Sequence, residues 1–90
     1  DFMSKQNIFL DLGLPKHEAA ILLLRSELAG KIRKWQERSG LTQAAAARHL
    51  EISAPRLNEI MKNRIEKVSV DYLLGLCAKL GLTVTLKMAA

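Results

Sequence analysis

Cysteine is almost missing from this 90-residue chain: Cys77 stands alone, so no internal disulfide can form and a disulfide-built scaffold is excluded. The expected setting is therefore cytoplasmic, with Cys77 a small buried hydrophobe rather than a reactive thiol. Histidine is nearly as scarce. His17 and His49 lie far apart with no ligand spacing around them and read most simply as surface residues, so neither a metal site nor any other cofactor is expected. No glycine-rich phosphate loop and no Ser-His-Asp order is visible, and the expectation is that the chain is not an enzyme and has no catalytic residues. No stretch approaches the roughly 20 apolar residues of a membrane span. The opening Asp1-Phe2-Met3-Ser4-Lys5 lacks the basic flank and apolar run of a secretory signal, and reads as a start trimmed of its first residues.

Charge is what the chain does have, and it is unevenly placed. The net charge is +5. Residues 31–67 hold Lys31, Arg33, Lys34, Arg38, Arg48, Arg56, Lys62, Arg64 and Lys67 against Glu37, Glu51, Glu59 and Glu66, while basic and acidic residues balance elsewhere. The whole excess thus lies on one segment. Alone it would fit a solvated surface as well as a nucleic-acid-binding one. A chain of this length buries only about 60–65% of its unfolded surface, enough for one helical core but not for a deep catalytic cavity.

Hydrophobic spacing divides the chain into an N-terminal arm (1–14), a helical domain (15–81) and a C-terminal tail (82–90). Pro15 suits a helix start, and Ile21, Leu24, Leu28, Ile32 and Trp35 trace one buried stripe over about 16–38. Leu22 and Leu23 fall off that stripe and face either the arm or a second subunit. Gly30 lies within the helix, where a bend or close contact would account for it. Ser39-Gly40 ends the helix, and Thr42 caps the next, 43–50, with Ala45 where a capping box would place Glu. Ser53 caps a helix over 54–61 with Pro55 in its first turn; residues 63–68 form a polar, basic loop. Ser69 caps the last helix, 70–80, whose Val70, Leu73, Leu74, Cys77 and Leu80 face the core. Leu82 to Met88 then alternates apolar with polar, which is a strand pattern. A lone strand needs a partner, and the same strand of a two-fold mate would supply one; the alternative is a tail that frays or packs on its own core.

Residues 41–60, Leu-Thr-Gln-Ala-Ala-Ala-Ala-Arg-His-Leu-Glu-Ile-Ser-Ala-Pro-Arg-Leu-Asn-Glu-Ile, carry the densest signal. Two short helices that cross steeply need a small residue at the contact, which Ala47 supplies beside Ala46. Leu50, Ile52, Leu57 and Ile60 fill the angle from the core side. The second helix then projects its N-terminal half outward, as a helix entering a DNA major groove must.

The order Leu-Thr-Gln-x-x-x-Ala (41–47) followed by Ile-Ser-x-Pro-Arg-Leu (52–57) resembles the XRE, or lambda-repressor-like, helix-turn-helix family, and in particular its HigA-type antitoxin branch. The resemblance extends over about 8–88, through Asp11-Leu12-Gly13-Leu14-Pro15 and Leu-Leu-x-Leu-Cys-Ala-Lys-Leu-Gly (73–81). It implies an all-α fold, a compact bundle of about five helices, here with a C-terminal β-strand pairing across a dimer. It implies a transcriptional regulator, a repressor that binds double-stranded DNA at inverted repeats as a homodimer, with a cognate toxin as a further partner. One residue departs from the pattern: Glu51 stands where the inter-helix turn often has glycine, so a left-handed conformation there would cost about 1–2 kcal/mol.

Family roles carried onto this chain place Gln43 and Ser53 at backbone phosphates, Ser53 also as a cap. With Leu57 and Ile60 inward, Ala54, Pro55, Arg56, Asn58, Glu59 and Lys62 remain outward. Arg56 is the first candidate for bidentate reading of guanine, with a phosphate clamp as its alternative; Asn58 is the second base-edge candidate, and Ala54 and Pro55 would meet thymine methyls. Glu59 would accept from cytosine or hold Arg56. Lys62, Asn63 and Arg64 are expected at phosphates; Lys31, Arg33, Lys34 and Arg38 either flank the groove or are plain solvated charge. The rival reading is a protein-interaction module that neutralises a toxin and binds little or no DNA.

Overall fold

The computed structural model describes residues 11–85 and residue 88. Among these residues there are four helices and no strand: α1 (Lys16–Ser39), α2 (Gln43–Leu50), α3 (Ala54–Met61) and α4 (Val70–Lys79). The four helices read from spacing are present within a residue of their expected ends. Among the described residues neither a fifth complete helix nor a C-terminal strand appears, and Asp11 has helical backbone at their edge. Residues 82–85 are irregular, since the described part of a single chain offers no strand for them to pair with. Residues 1–10 of the arm, and residues 86, 87, 89 and 90 of the tail, lie outside the described residues.

Local chemistry sets the helix ends. Thr42, Ser53 and Ser69 each hold extended backbone, and each side-chain oxygen accepts from the backbone N–H three residues on, at Ala45 (3.1 Å), Arg56 (3.2 Å) and Tyr72 (3.2 Å). α1 begins after Pro15 with no side-chain cap and ends at left-handed Gly40.

The core gathers the inner faces of all four helices: Leu28, Ala29 and Ile32 of α1, Ala46, Ala47 and Leu50 of α2, Leu57 and Ile60 of α3, and Leu73, Leu76 and Cys77 of α4. Burial raises the Cys77 thiol above its ordinary pKa, and its Sγ lies 3.9 Å from the Leu28 carbonyl. Leu76 belongs to this core although the expected α4 face omitted it; Val70, Leu74 and Leu80 lie at its edge. The loop read as polar and basic sends Ile65 and Val68 inward, where they join the buried core.

α1 departs most from expectation. Its C-terminal half buries the expected stripe, yet Ile21 is 42% exposed while Leu23 is 2% exposed. At 100° per residue Ile21 shares the face of Leu28, and Leu23 points about 140° away. The buried side of α1 therefore changes faces along its length, because covering elements and not the helix's own period decide which side is buried. Ile21 is left beside an open groove lined with Leu14, Glu18, Leu22 and Arg25. At Gly30 an added Cβ would meet only the Arg33 side chain at 3.5 Å, an ordinary contact, so packing there does not demand glycine.

No helix among the described residues is long and apolar enough to cross a membrane, and no group of three His, Cys, Asp or Glu is placed to hold a metal ion.

Candidate nucleic-acid interface

The α2–α3 unit is held from within. Ala46 and Ala47 are buried where α2 meets its neighbours, and Leu50, Leu57 and Ile60 are fully buried beneath the turn, with Ile52 half-buried at its edge. The turn is a Schellman-type end: Glu51 N–H reaches the Arg48 carbonyl (3.1 Å) and Ile52 N–H the Ala47 carbonyl (3.0 Å). Glu51 holds φ 61° and ψ 39°, the left-handed conformation anticipated from its place in the turn. Lys79 of α4 secures this end, its Nζ donating to the Leu50 carbonyl at 3.1 Å and lying 3.6 Å from the Glu51 carboxylate.

α3 finishes the same way. Asn63 takes φ 56°, its N–H bonds to the Ile60 carbonyl at 3.1 Å, and Arg64 N–H bonds to the Glu59 carbonyl at 2.7 Å. Arg33 reaches across from α1, and one guanidinium nitrogen donates to both the Ile60 carbonyl and the Asn63 Oδ1, each at 3.2 Å. Arg33 therefore fastens the end of α3 and is not a loose flanking charge, whereas Lys31, Lys34 and Arg38 are exposed on α1. Asn63 likewise has its side-chain oxygen committed to Arg33.

With Leu57 and Ile60 inward and Met61 packed at the core's edge, the remaining α3 residues are exposed or half-buried. Ala54, Pro55, Lys62 and Arg64 are exposed, as are Gln43 and Ser53 at the two helix starts; Arg56, Asn58 and Glu59 are half-buried. Arg56 Nη1 lies 3.7 Å from Glu59 Oε1, and its guanidinium sits 5.5 Å from the centre of the Tyr72 ring on α4. Glu59 thus lies beside Arg56, the neighbour that one of its two alternatives named. Tyr72 was absent from the residues singled out by sequence, and Arg33 was named there only among four flanking or solvated charges. Tyr72 carried a faint signal, as an aromatic three residues after its helix cap on the helix that follows the turn; nothing in the sequence showed that Arg33 reaches the end of α3.

His17 and His49 are exposed, and His49 stacks on Trp35 with ring centres 5.3 Å apart. At the start of α4 the Asp71 carboxyl is held below its ordinary pKa, chiefly by the Ser69 side chain and then by backbone N–H groups of the first turn.

The arrangement is a rigid pair of short helices, the second offering a convex row of small, amide and cationic side chains. Its exposed amide and cationic side chains are hydrogen-bond donors of the kind that the edges and phosphates of a nucleic-acid groove accept. A protein family described as a helix-turn-helix domain matches residues 8–89, nearly the full chain. No curated protein and no solved structure matches it.

Proposed function

The chain belongs to the helix-turn-helix domain family, and from that premise we propose that it is a sequence-specific regulator of transcription that binds double-stranded DNA through α3. The observation that carries the reading is the anchoring of α3: two buried side chains beneath it, a serine cap before it and Arg33 at its end leave one face fixed and outward. A fixed face suits direct readout, because each contact made on a pre-set helix costs little further ordering. In this reading Arg56 takes a guanine edge, Asn58 a second base, Ala54 and Pro55 the thymine methyls, and Gln43, Ser53, Lys62, Asn63 and Arg64 the phosphates. The role is binding and not catalysis, in the cytoplasm, with no cofactor. The chain acts as a repressor of the XRE type, as a homodimer on an inverted repeat, its 82–90 tails pairing as strands across the two-fold axis.

The test separates two kinds of contact. Arg56→Ala should weaken the preferred duplex by about 1–3 kcal/mol and relax selectivity at one base pair, while Lys62→Ala should weaken all duplexes alike and lower the salt slope by about 1. Equal weakening of every sequence by Arg56→Ala would sink its base-reading role. Removal of residues 82–90 should give a monomer, and an unchanged sedimentation mass would reject strand pairing.

A second reading, an antitoxin module that holds a toxin protein, draws on the α1 groove. Ile21 and Leu22 lie there between Glu18 and Arg25, and the buried Arg25 Nε has no hydrogen-bond partner among the described residues. A protein partner would supply that missing acceptor. Co-purification with a toxin encoded beside this chain, lost on Ile21→Asp, supports this reading; failure to protect cells from that toxin counts against it.

A further inference from the structure

We infer that Tyr72, which lies outside the helix-turn-helix, is a positioning residue that sets base selectivity through Arg56. The inference rests on the DNA-binding reading above and adds a residue to it.

Arg56 and Tyr72 occupy equivalent places on successive helices. Each is the third residue of its helix, and each has its backbone N–H capped by a serine, Ser53 or Ser69. Those caps fix both backbones, and long side chains at this position lean back toward the helix start. The two side chains meet there, the guanidinium 5.5 Å from the ring centre. Glu59, one turn along α3, approaches the same guanidinium at 3.7 Å. Arg56 is therefore held from two sides, by a ring on one helix and a carboxylate on its own.

The chemistry of the two holds matters for readout. The ring face offers no acceptor atom, so a guanidinium 5.5 Å from its centre commits none of its N–H donors to a conventional hydrogen bond there. Glu59 attracts the charge, but at 3.7 Å it is beyond hydrogen-bond length, so it does not consume a donor either. The edge that makes two parallel bonds to guanine O6 and N7 is left available. A free arginine carries a large rotamer entropy that a base contact must freeze; the ring and the carboxylate restrict it beforehand. Removing the ring should thus reduce discrimination at the base pair read by Arg56, without altering the charge presented to phosphates.

The experiment uses the full chain and a duplex selected from a random pool by the wild type, together with all its single-base-pair variants. Tyr72 is 36% exposed, so Tyr72→Leu is compatible with the fold, checked by its unfolding temperature. Tyr72→Leu should lower discrimination about two- to fivefold at the one base pair that Arg56→Ala also affects. It should add nothing in an Arg56→Ala background, and the salt slope should not change. Tyr72→Phe, which keeps the ring face, should retain the selectivity. In the free protein, Arg56 side-chain protons should show an upfield ring-current shift that Tyr72→Leu abolishes. Unaltered discrimination in Tyr72→Leu overturns the inference, as does equal loss in Tyr72→Phe, which would mark a hydroxyl contact. Uniform weakening with an unchanged salt slope would make Tyr72 a neutral phosphate contact instead, and a slope reduced by about 1 would mean that it holds Arg56 on a phosphate; either overturns the inference. A wild type that prefers no duplex removes the DNA-binding reading and this inference together, whereas absence of the ring-current shift removes this inference alone.

Discussion

Glu51→Gly poses a direct question about the turn that joins α2 to α3, and the answer depends on three opposing quantities. Glu51 sits at φ 61°, where an L-residue with a Cβ is strained by about 1–2 kcal/mol and glycine is not. Glycine in turn frees the unfolded chain, which costs about 0.4–1 kcal/mol. The third quantity is the pair with Lys79, at 3.6 Å and with the Glu51 side chain 79% exposed, worth a few tenths of a kcal/mol at most, roughly. Glu51→Ala removes the same pair and keeps the strain, so it is the proper reference. The difference between the two variants isolates strain against entropy and favours glycine by about 1 kcal/mol. In a domain of this size that is roughly 4–8 °C in unfolding temperature. Thermal and urea unfolding of wild type, Glu51→Ala and Glu51→Gly measure it. If Glu51→Gly proves no more stable than Glu51→Ala, the turn is not strained in the way its dihedral angles imply.

Two further outcomes follow from contacts at the ends of α3 and α4. Arg33→Met removes both hydrogen bonds to the end of α3 while keeping most of the aliphatic stem; partial burial makes the loss about 1–2 kcal/mol, roughly 4–16 °C in unfolding temperature. Its DNA salt slope should equal that of wild type, and a slope lowered by about 1 would show that Arg33 binds phosphate after all. Asp71 contributes through its ionised form: its folded pKa lies below the unfolded one, so its stabilisation is complete above the unfolded value and vanishes as pH falls through the folded value. Wild type should therefore exceed Asp71→Asn in urea midpoint near neutral pH, and that gap should close below about pH 4; a gap independent of pH would refute the assignment.

Much of the α2–α3 unit was legible because its determinants are local. A serine or threonine cap, a proline in the first turn and an alanine at the crossing act within a few residues of where they stand. Glu51 was legible only through the resemblance, since glycine often stands at that place in the family's turn and so implied a left-handed backbone. The register of α1 was not. Its 24 residues present apolar side chains on more than one face, and Ile21 and Leu23 exchanged roles because burial depends on which elements lie against each half. Ile65 and Val68 escaped notice since a loop has no period. Arg33 with Asn63, and Arg56 with Tyr72, join residues distant in the chain; only the packing of α1 and α4 around α3 brings them together.

Within the candidate interface, the side of α3 that faces outward followed from Leu57 and Ile60 being buried. The pose of Arg56 did not, because it is set by a neighbour on another helix.

Whether α3 reads base sequence is decided by selecting duplexes from a random pool with the wild-type chain. An inverted repeat should be enriched that binds about 1,000-fold or more tightly than a scrambled duplex at physiological salt. Equal binding of selected and scrambled duplexes, or no binding at low salt, would contradict that reading.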